Sequence, residues 1–280
     1  MPLYGQADAG AIWNRTVNKF FTDPTPDGLG LERSTHDPCV YSKEVGPDER
    51  VSGPLYVDDG RLYCDPTPKA REESKRIRED LTEKFDIEWG EVNPEEDQFL
   101  GGNRISHTPH VATTKCYSYI RKRLVKDYLG GDVSITKERP ASWGQLPADD
   151  ATLMKAWESA MVTRTPASPE LTKRYMSAYG AGLHAVKFRP EIAAVMSLLG
   201  ACLTFPTEEL YQCLLRVLVY LGRNDQLGVT FSKHAPNAKE LVCYADSNWS
   251  TMRSTTGYVI FLAGGAVSSV SRRQHLLRLH

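Results

Sequence analysis

The chain of 280 residues lacks the features of a membrane or secreted protein. No apolar run approaches the ~20 residues that a membrane-spanning helix needs. The start MPLYGQADAG has neither the basic nor the apolar region of a signal peptide. The composition, with 41% hydrophobic and 25% charged residues, is that of a globular protein. These features predict a soluble intracellular protein that is not secreted and does not bind a membrane.

Cysteine patterns typical of metal or disulfide frameworks are also missing. The six cysteines include no C-x-x-C pair and no Cys/His cluster, so neither a zinc site nor a disulfide framework is indicated. We expect most of them to be small buried apolar residues. The histidines have no ligand-like spacing and are interpreted as surface or partly buried residues: His36, His107, His110, His184 and His234.

The chain has no excess of positive charge. Its formal net charge is −1 and its pI about 6.7, whereas nucleic-acid-binding proteins are usually more basic. Basic residues are nevertheless concentrated in KCYSYIRKRLVKDY (115–128), which carries five Lys and Arg against one Asp. Such a run is either a solvated helix face or a surface that contacts phosphate groups.

Local patterns predict helices and strands in the first part of the chain. The segment GAIWNRTVNKFF has helical spacing of its apolar residues. The runs CVYSK and GPLYV are predicted strands separated by a polar loop, EVGPDER, and RLYC follows directly after DDG. An Asp-Gly step between β-rich runs is typical of a hairpin turn. Pro68 and the stripe Ile77, Leu81 and Phe85 predict a second helix.

The later part of the chain is predicted to be helical and then β-rich. The Gly- and Pro-rich segment 130–153 is interpreted as a loop. Two helices are expected after it, one with an apolar face at Ile192, Val195, Met196 and Leu199, the other capped by Thr207 and stopped by Gly222. The last forty residues read as three β-strands. We expect no helix to cover this sheet, and the chain to be truncated for that reason.

The adjacent Asp58 and Asp59 are the first candidate site. Side chains of successive strand residues alternate faces, so both carboxylates reach one ligand only if a turn redirects one of them. Carboxylate oxygens suit Mg²⁺, but a tight site would need a substrate phosphate and a further carboxylate. The alternative is an ordinary solvated Asp-Gly turn.

Several segments together resemble one known family. The hairpin segment with Tyr56, Val57, Asp58 and Asp59 resembles the Tyr-x-Asp-Asp hairpin in the palm of reverse transcriptases. Five more segments resemble, in the same order, those of copia-type LTR retrotransposon polymerases and the start of their ribonuclease H domain: LYGQADAGAIW (3–13), GLERSTHDPCVYSK (30–43), and the stretches 85–106, 187–231 and 243–274.

The resemblance implies RNA-directed DNA synthesis by two-metal phosphoryl transfer. It would make Asp58 the main metal ligand, Asp59 a supporting ligand and Tyr56 a neighbour of the primer end. The segment Tyr4–Trp13 would line the incoming nucleotide, with either Gln6 or Asp8 in the place of the glutamine of the family pattern. Lys122, Arg123 and Lys126 would contact the nucleic-acid backbone, and RNA template, RNA–DNA hybrid and deoxynucleotide triphosphates would be partners.

This chain departs from the family pattern at both active sites. The family's third metal-binding aspartate lies upstream of the LYG segment, and later carboxylates of the ribonuclease H site lie beyond His280. We therefore expect Mg²⁺ or Mn²⁺ to bind weakly and the chain to be inactive on its own. Asp246 matches the first ribonuclease H carboxylate, and the alternative for it is a solvent-exposed residue near a strand end.

The expected fold is α+β with three parts. Residues 1–105 would form a partial palm with an antiparallel sheet, 106–235 a mainly helical thumb or connection, and 236–280 an incomplete ribonuclease H-like sheet. The expected role is that of a copia-type reverse transcriptase fragment in a cytoplasmic particle or the nucleus, with the rest of a retrotransposon polyprotein as a further partner. The alternatives are a noncatalytic nucleic-acid-binding remnant and a non-functional pseudogene product.

Overall fold

The computed structural model describes residues 8–57, 59–90, 103–108, 110–147, 151–247 and 254–274. The chain divides into two compact units, Met1–Val92 (unit 1) and Asn93–His280 (unit 2). This division differs from the sequence-derived boundaries near residues 105 and 235. The assignment of the segments to palm, thumb and ribonuclease H parts stays a prediction.

Unit 1 combines helices with a small antiparallel sheet. Its helices are α1 (Ala9–Thr22) and α2 (Pro68–Phe85). Its strands are β1 (Glu32–Arg33), β2 (Val40–Gly46), β3 (Glu49–Tyr56), β4 (Asp59–Gly60) and β5 (Tyr63–Cys64). The order is β1-β2-β3-β4, and β5 pairs with an earlier part of β3.

The segment EVGPDER is mostly strand, so its prediction as a loop was wrong. Strand β2 continues to Gly46 and β3 begins at Glu49, which leaves a two-residue turn between them. Asp48 in this turn has a φ of 59°, which Asp tolerates better than most residues. Glu44 and Arg50 face each other across the ladder and form an ion pair at 2.7 Å. Such cross-strand pairing lets charged residues occupy an exposed strand.

Helix α2 begins where the sequence predicts. The side chain of Thr67 accepts a hydrogen bond from the backbone N–H of Ala70 at 3.3 Å, and Pro68 occupies the first turn, where its missing N–H is not needed. The buried face of α2 packs into the core of unit 1. That core comprises Leu29, Leu31, Tyr41, Val51, Ala70, Ile77 and Leu81.

A half-buried ion cluster joins α2 to the sheet. Glu73 on α2 lies 2.9 Å from Lys43 Nζ of β2 and 2.7 Å from Arg76 Nη2. The hydrogen bond from Arg76 holds the pKa of the Glu73 carboxyl below its ordinary value of 4.5, although burial acts in the opposite direction. Glu73 therefore stabilises unit 1 in its ionised form.

Unit 2 contains the larger, mainly helical core. A continuous helical segment, here called the basic helix, consists of α3 (Tyr117–Tyr119), a π-helix (Ile120–Val125) and α4 (Lys126–Leu129). It is followed by α5 (Ala151–Thr163), α6 (Pro169–Ala185), α7 (Ala193–Gly200) and α8 (Glu208–Arg223). The predicted apolar face of α7 is buried, as are Leu210, Leu214, Val217, Leu218 and Leu221 of α8.

Helix α8 begins where the sequence predicts but ends later than predicted. The Thr207 hydroxyl accepts a hydrogen bond from the N–H of Leu210 at 3.2 Å. The helix continues to Arg223, so Gly222 is not its stop. A Cβ at Gly222 would lie 2.6 Å from Cγ1 of Val133, and the glycine is therefore required by close packing.

Two three-stranded antiparallel sheets complete unit 2. One contains β6 (Asn103–Thr108), β7 (Val111–Lys115) and β8 (Gly228–Ser232). The other has the order β11-β10-β9, from β9 (Val242–Ser247), β10 (Thr255–Leu262) and β11 (Gly265–Arg273). The three C-terminal strands are thus confirmed. The expectation of an uncovered sheet is wrong, because α7 packs against β11 and the Arg273 guanidinium lies 5.5 Å from the Trp157 ring centroid of α5.

The mixed α+β class is confirmed at this level, while the palm-type and ribonuclease H-like descriptions stay predictions. The cysteines divide equally: Cys116, Cys202 and Cys213 are buried, whereas Cys39, Cys64 and Cys243 are exposed. The expectation that most would be buried is wrong, because half of them lie on or beside exposed strands. Among the residues that the structure describes, no helix is both long and apolar enough to cross a membrane.

Candidate functional site

The hairpin formed by β3 and β4 presents the candidate site of unit 1. Leu55 pairs with Gly60 and Tyr56 pairs with Asp59, so the chain reverses direction between residues 56 and 59. Val57 has a φ of 57°. The common two-residue hairpin turns need a positive φ at their first central residue, where glycine, asparagine and aspartate are favoured. A β-branched residue in this conformation is strained.

Helix α1 holds this strained turn. The indole Nε1–H of Trp13 donates a hydrogen bond to the carbonyl oxygen of Val57 at 2.8 Å, and its ring packs edge-on against Phe85, with 5.6 Å between centroids. A pocket of about 210 Å³ lies between the N-terminal part of α1 and the hairpin. Its lining includes Gly10, Trp13, Tyr56 and Val57. The hairpin tip is therefore a positioned element beside a pocket.

The exposed groups of the hairpin suit contact with a polar ligand. The Tyr56 side chain is 59% exposed, and Asp59 is exposed too. No cation lies within ion-pairing distance of Asp59 among the described residues. Asp58, Tyr4 and Gln6, which the sequence also assigned to this site, lie outside the described residues. No group of three or more His, Cys, Asp or Glu residues suited to a metal ion occurs in the described part of the chain.

Asp246 of the predicted ribonuclease H site is an exposed residue of β9, at the edge of its sheet. It pairs with Gly257 of β10. Its Oδ1 accepts a hydrogen bond from the N–H of Ser247 at 2.8 Å. The other carboxylate oxygen, Oδ2, accepts no hydrogen bond from the described residues, but one exposed carboxylate alone does not make a metal site.

The basic helix carries the predicted phosphate-contacting residues on an exposed face. Lys122 and Lys126 are exposed and have no carboxylate within ion-pairing distance among the described residues. Arg123 pairs with Asp127 at 2.6 Å, and Arg121 pairs with the buried Asp225. A phosphate would compete with Asp127 for Arg123, so the two lysines are the better candidates for such contacts.

A larger open groove of about 680 Å³ runs along the exposed side of α2. The Arg78 guanidinium lies 4.7 Å from the centroid of the Trp89 ring, and Trp89 donates a hydrogen bond to Thr82 Oγ1 at 2.7 Å. Three cations and two anions line the groove: Arg71, Lys75, Arg78, Glu79 and Glu83. This mixed charge favours no particular class of ligand.

Sequence reasoning missed two features that the fold brings together. The bond between Trp13 and Val57 joins residues 44 positions apart, and no local pattern in either segment indicates it. His110 and His234, interpreted as unrelated residues, have ring centroids 5.0 Å apart. The signal that could have found this pair is the pairing of β7, which begins just after His110, with β8, which ends just before His234.

The sequence is similar to three known proteins. Secreted RxLR effector protein 161 of Plasmopara viticola is 38% identical over 110 residues, which cover 38% of this chain and 76% of that protein. The retrovirus-related Pol polyprotein from transposon RE1 of Arabidopsis thaliana is 30% identical over 279 residues, and the one from transposon TNT 1-94 of Nicotiana tabacum is 24% identical over 293 aligned positions.

The two Pol polyproteins match nearly the whole chain, 97% and 99% of it. The chain spans only 17% and 19% of their length. No protein-family model matches the chain, and no solved structure matches it. The chain is a retroelement-related protein, distantly homologous to these Pol polyproteins along nearly its whole length.

Proposed function

We propose that the chain is part of the reverse transcriptase and ribonuclease H region of a copia-type Pol polyprotein. In the intact polyprotein this region would copy an RNA template into DNA from deoxynucleotide triphosphates. In this proposal residues 1–105 belong to the palm, 106–235 to the thumb or connection, and 236–280 to ribonuclease H. The protein would act inside the cell, in a cytoplasmic particle or the nucleus, together with the rest of the polyprotein.

The β3–β4 hairpin is the observation that carries the proposal. An acidic turn with a strained Val57, held by Trp13 beside a pocket, supports a nucleotidyl-transfer site, because catalysis there depends mainly on positioning and on charge neutralisation. The match of the Pol polyproteins along 97–99% of the chain supports it. Tyr56 would lie beside the primer end, with Asp58 and Asp59 as the acidic groups.

Carboxylate oxygens at the hairpin fit a hard divalent cation, Mg²⁺ or Mn²⁺, but only in part. Mg²⁺ prefers six oxygen ligands, and the described residues supply no third acidic group near Asp59. When bound, such a cation would polarise the transferring phosphate and lower the pKa of the attacking hydroxyl. We propose that the isolated chain binds it weakly and does not polymerise.

The test combines metal binding and activity. Mn²⁺ added to the ¹⁵N-labelled chain should broaden the amide signals around Tyr56 and Gly60, and Asp59→Asn should remove most of this effect. The control Asp246→Asn, in the other unit, should leave it unchanged. An oligo-dT primer on poly(rA) should not be extended by the chain alone with either cation. Extension would refute the inactivity of the isolated chain, and absence of broadening at the hairpin would refute the metal site itself.

A noncatalytic nucleic-acid-binding role is the second candidate, and the free exposed lysines of the basic helix favour it. The chain should bind an RNA–DNA hybrid with an affinity that falls steeply with salt. Replacing both Lys122 and Lys126 by alanine should lower the slope of log K against log salt by about 2, or about 1 for each lost phosphate contact. The control Lys69→Ala in unit 1 should not change it. Binding without nucleotide incorporation would favour this role.

The name of the Plasmopara viticola relative states secretion and an effector role for that protein. That relative accounts for 38% of this chain, whereas the Pol polyproteins account for nearly all of it. The retroelement proposal therefore explains both units and is the one we prefer.

A further inference from the structure

We propose that His110 and His234 form a binding site for a borderline divalent transition-metal ion such as Zn²⁺ or Cu²⁺. His110 directly precedes β7 and His234 follows β8, which are neighbouring strands of one sheet in unit 2, although the two histidines are far apart in sequence. This site is separate from the acidic hairpin of unit 1 and does not depend on the proposed polymerase function.

The strand register brings the two histidines together. Val111 of β7 pairs with Ser232 of β8, and the N–H of Lys233 donates a hydrogen bond to the His110 carbonyl at 3.0 Å. The Ser232 hydroxyl accepts a bond from the N–H of His234 at 3.2 Å. Both backbone positions are therefore fixed before any ligand arrives, which lowers the entropy cost of binding.

The separation of the rings fits bidentate coordination. Their centroids are 5.0 Å apart and their planes are inclined by 80°. Two imidazoles bound to one tetrahedral ion with metal–nitrogen bonds of about 2.1 Å have centroids about 5 Å apart. Only small rotations of the side chains would then be needed for both rings to ligate one ion.

The chemistry of the pair selects a class of ion. Neutral imidazole suits Zn²⁺, Cu²⁺ and Ni²⁺, whereas Mg²⁺ and Mn²⁺ prefer the oxygen ligands of carboxylates. Both side chains are exposed, so water can complete the coordination shell. A bound ion would clip the β6–β7 turn to the segment that follows β8, and would stabilise unit 2 because the unfolded chain does not hold the two rings together.

The test uses the full chain without a histidine tag and with Cys39, Cys64 and Cys243 replaced by serine, so that exposed thiols do not bind the metal. Calorimetric titration with Zn²⁺ should show one site per chain, and excess Mg²⁺ should not displace the ion. His110→Ala and His234→Ala should each weaken Zn²⁺ binding at least about tenfold. Each variant removes a ligand, and even the loss of a residue that only hydrogen-bonds to a ligand lowers metal affinity by about this factor. The exposed His36 of unit 1 provides the matched control, and His36→Ala should change nothing.

A second readout does not depend on the variants. Substoichiometric Cu²⁺ should broaden the imidazole NMR signals of His110 and His234 before those of His36 and His184. The proposal is overturned if no stoichiometric Zn²⁺ binding occurs, if either single variant keeps the parent affinity, or if Cu²⁺ broadens the control histidines first.

Discussion

The strained turn at Val57 predicts that glycine is more stable than alanine at this position, which is the reverse of the order at an ordinary strand position. We compare Val57→Gly with Val57→Ala. Both variants lose the same branched methyl groups, so the loss of packing by a side chain that is 63% exposed largely cancels between them. What remains is the backbone preference at a φ of 57°.

The expected difference follows from two opposing terms. A left-handed conformation costs an L-residue about 1–2 kcal/mol, which glycine avoids. Against this, glycine has more freedom to lose from the unfolded chain, worth about 0.5–1 kcal/mol relative to alanine. Val57→Gly should therefore be more stable than Val57→Ala by about 0.5–1 kcal/mol. At Ser52, inside β3, the order should reverse, with alanine more stable than glycine by a similar amount.

Native-state hydrogen exchange of the slowest amides in β2 and β3 measures this free energy for unit 1 in the intact chain. A further variant tests the role of Trp13. Trp13→Phe keeps a ring against Phe85 but removes the bond to Val57, so the turn can relax and the preference for glycine should shrink. The matched control is Trp89→Phe, which removes an equivalent indole hydrogen bond, to Thr82. An equal or greater stability of Val57→Ala would refute the strain.

Three further predictions concern stability and reactivity. Glu73→Gln should destabilise unit 1 by about 1–2 kcal/mol at pH 7. Because folding lowers the pKa of Glu73, this difference in stability should disappear as the pH falls from 4.5 through the folded pKa. Hydrogen exchange measures it, and a difference that stays constant down to pH 2 would contradict the prediction. Thr207→Ala should destabilise unit 2 by about 1 kcal/mol in denaturant unfolding, whereas Thr207→Ser should not. Burial raises the pKa of the Cys116 thiol to about 12, so this thiol should react slowly with an alkylating reagent. Mass spectrometry of the native chain should show slow modification of the buried Cys116, Cys202 and Cys213 and rapid modification of the exposed Cys39, Cys64 and Cys243.

The elements that the sequence predicted well are those specified by local signals. Helix α2 has its cap, its proline and its apolar stripe within one segment, and α8 has its cap at Thr207, two acidic residues in the first turn and an apolar stripe. The C-terminal strands follow one another with short connections, so neighbouring residues determine their pairing. In each case the information needed lies within about twenty residues of the element.

The features that the sequence did not predict depend on contacts between distant segments. The ion pair of Arg121 with Asp225 joins residues 104 positions apart, and the contact of His110 with His234 depends on the pairing of β7 with β8. Composition alone therefore overstated the number of free cations on the basic helix and hid the histidine pair. Gly222 was misjudged for the same reason, because Val133 comes from a different part of the chain.

The position of the Asp-Gly step bears directly on the function of the hairpin. As a sequence pattern, Asp59-Gly60 suggested an ordinary turn, but Gly60 pairs with Leu55 in the ladder and the reversal lies earlier, with Val57 in the strained position. A turn that served only to reverse the chain would place glycine or asparagine there. The strain at Val57 reduces stability at this tip, and the proposed binding of a divalent cation and a polyphosphate beside the pocket is what it would serve.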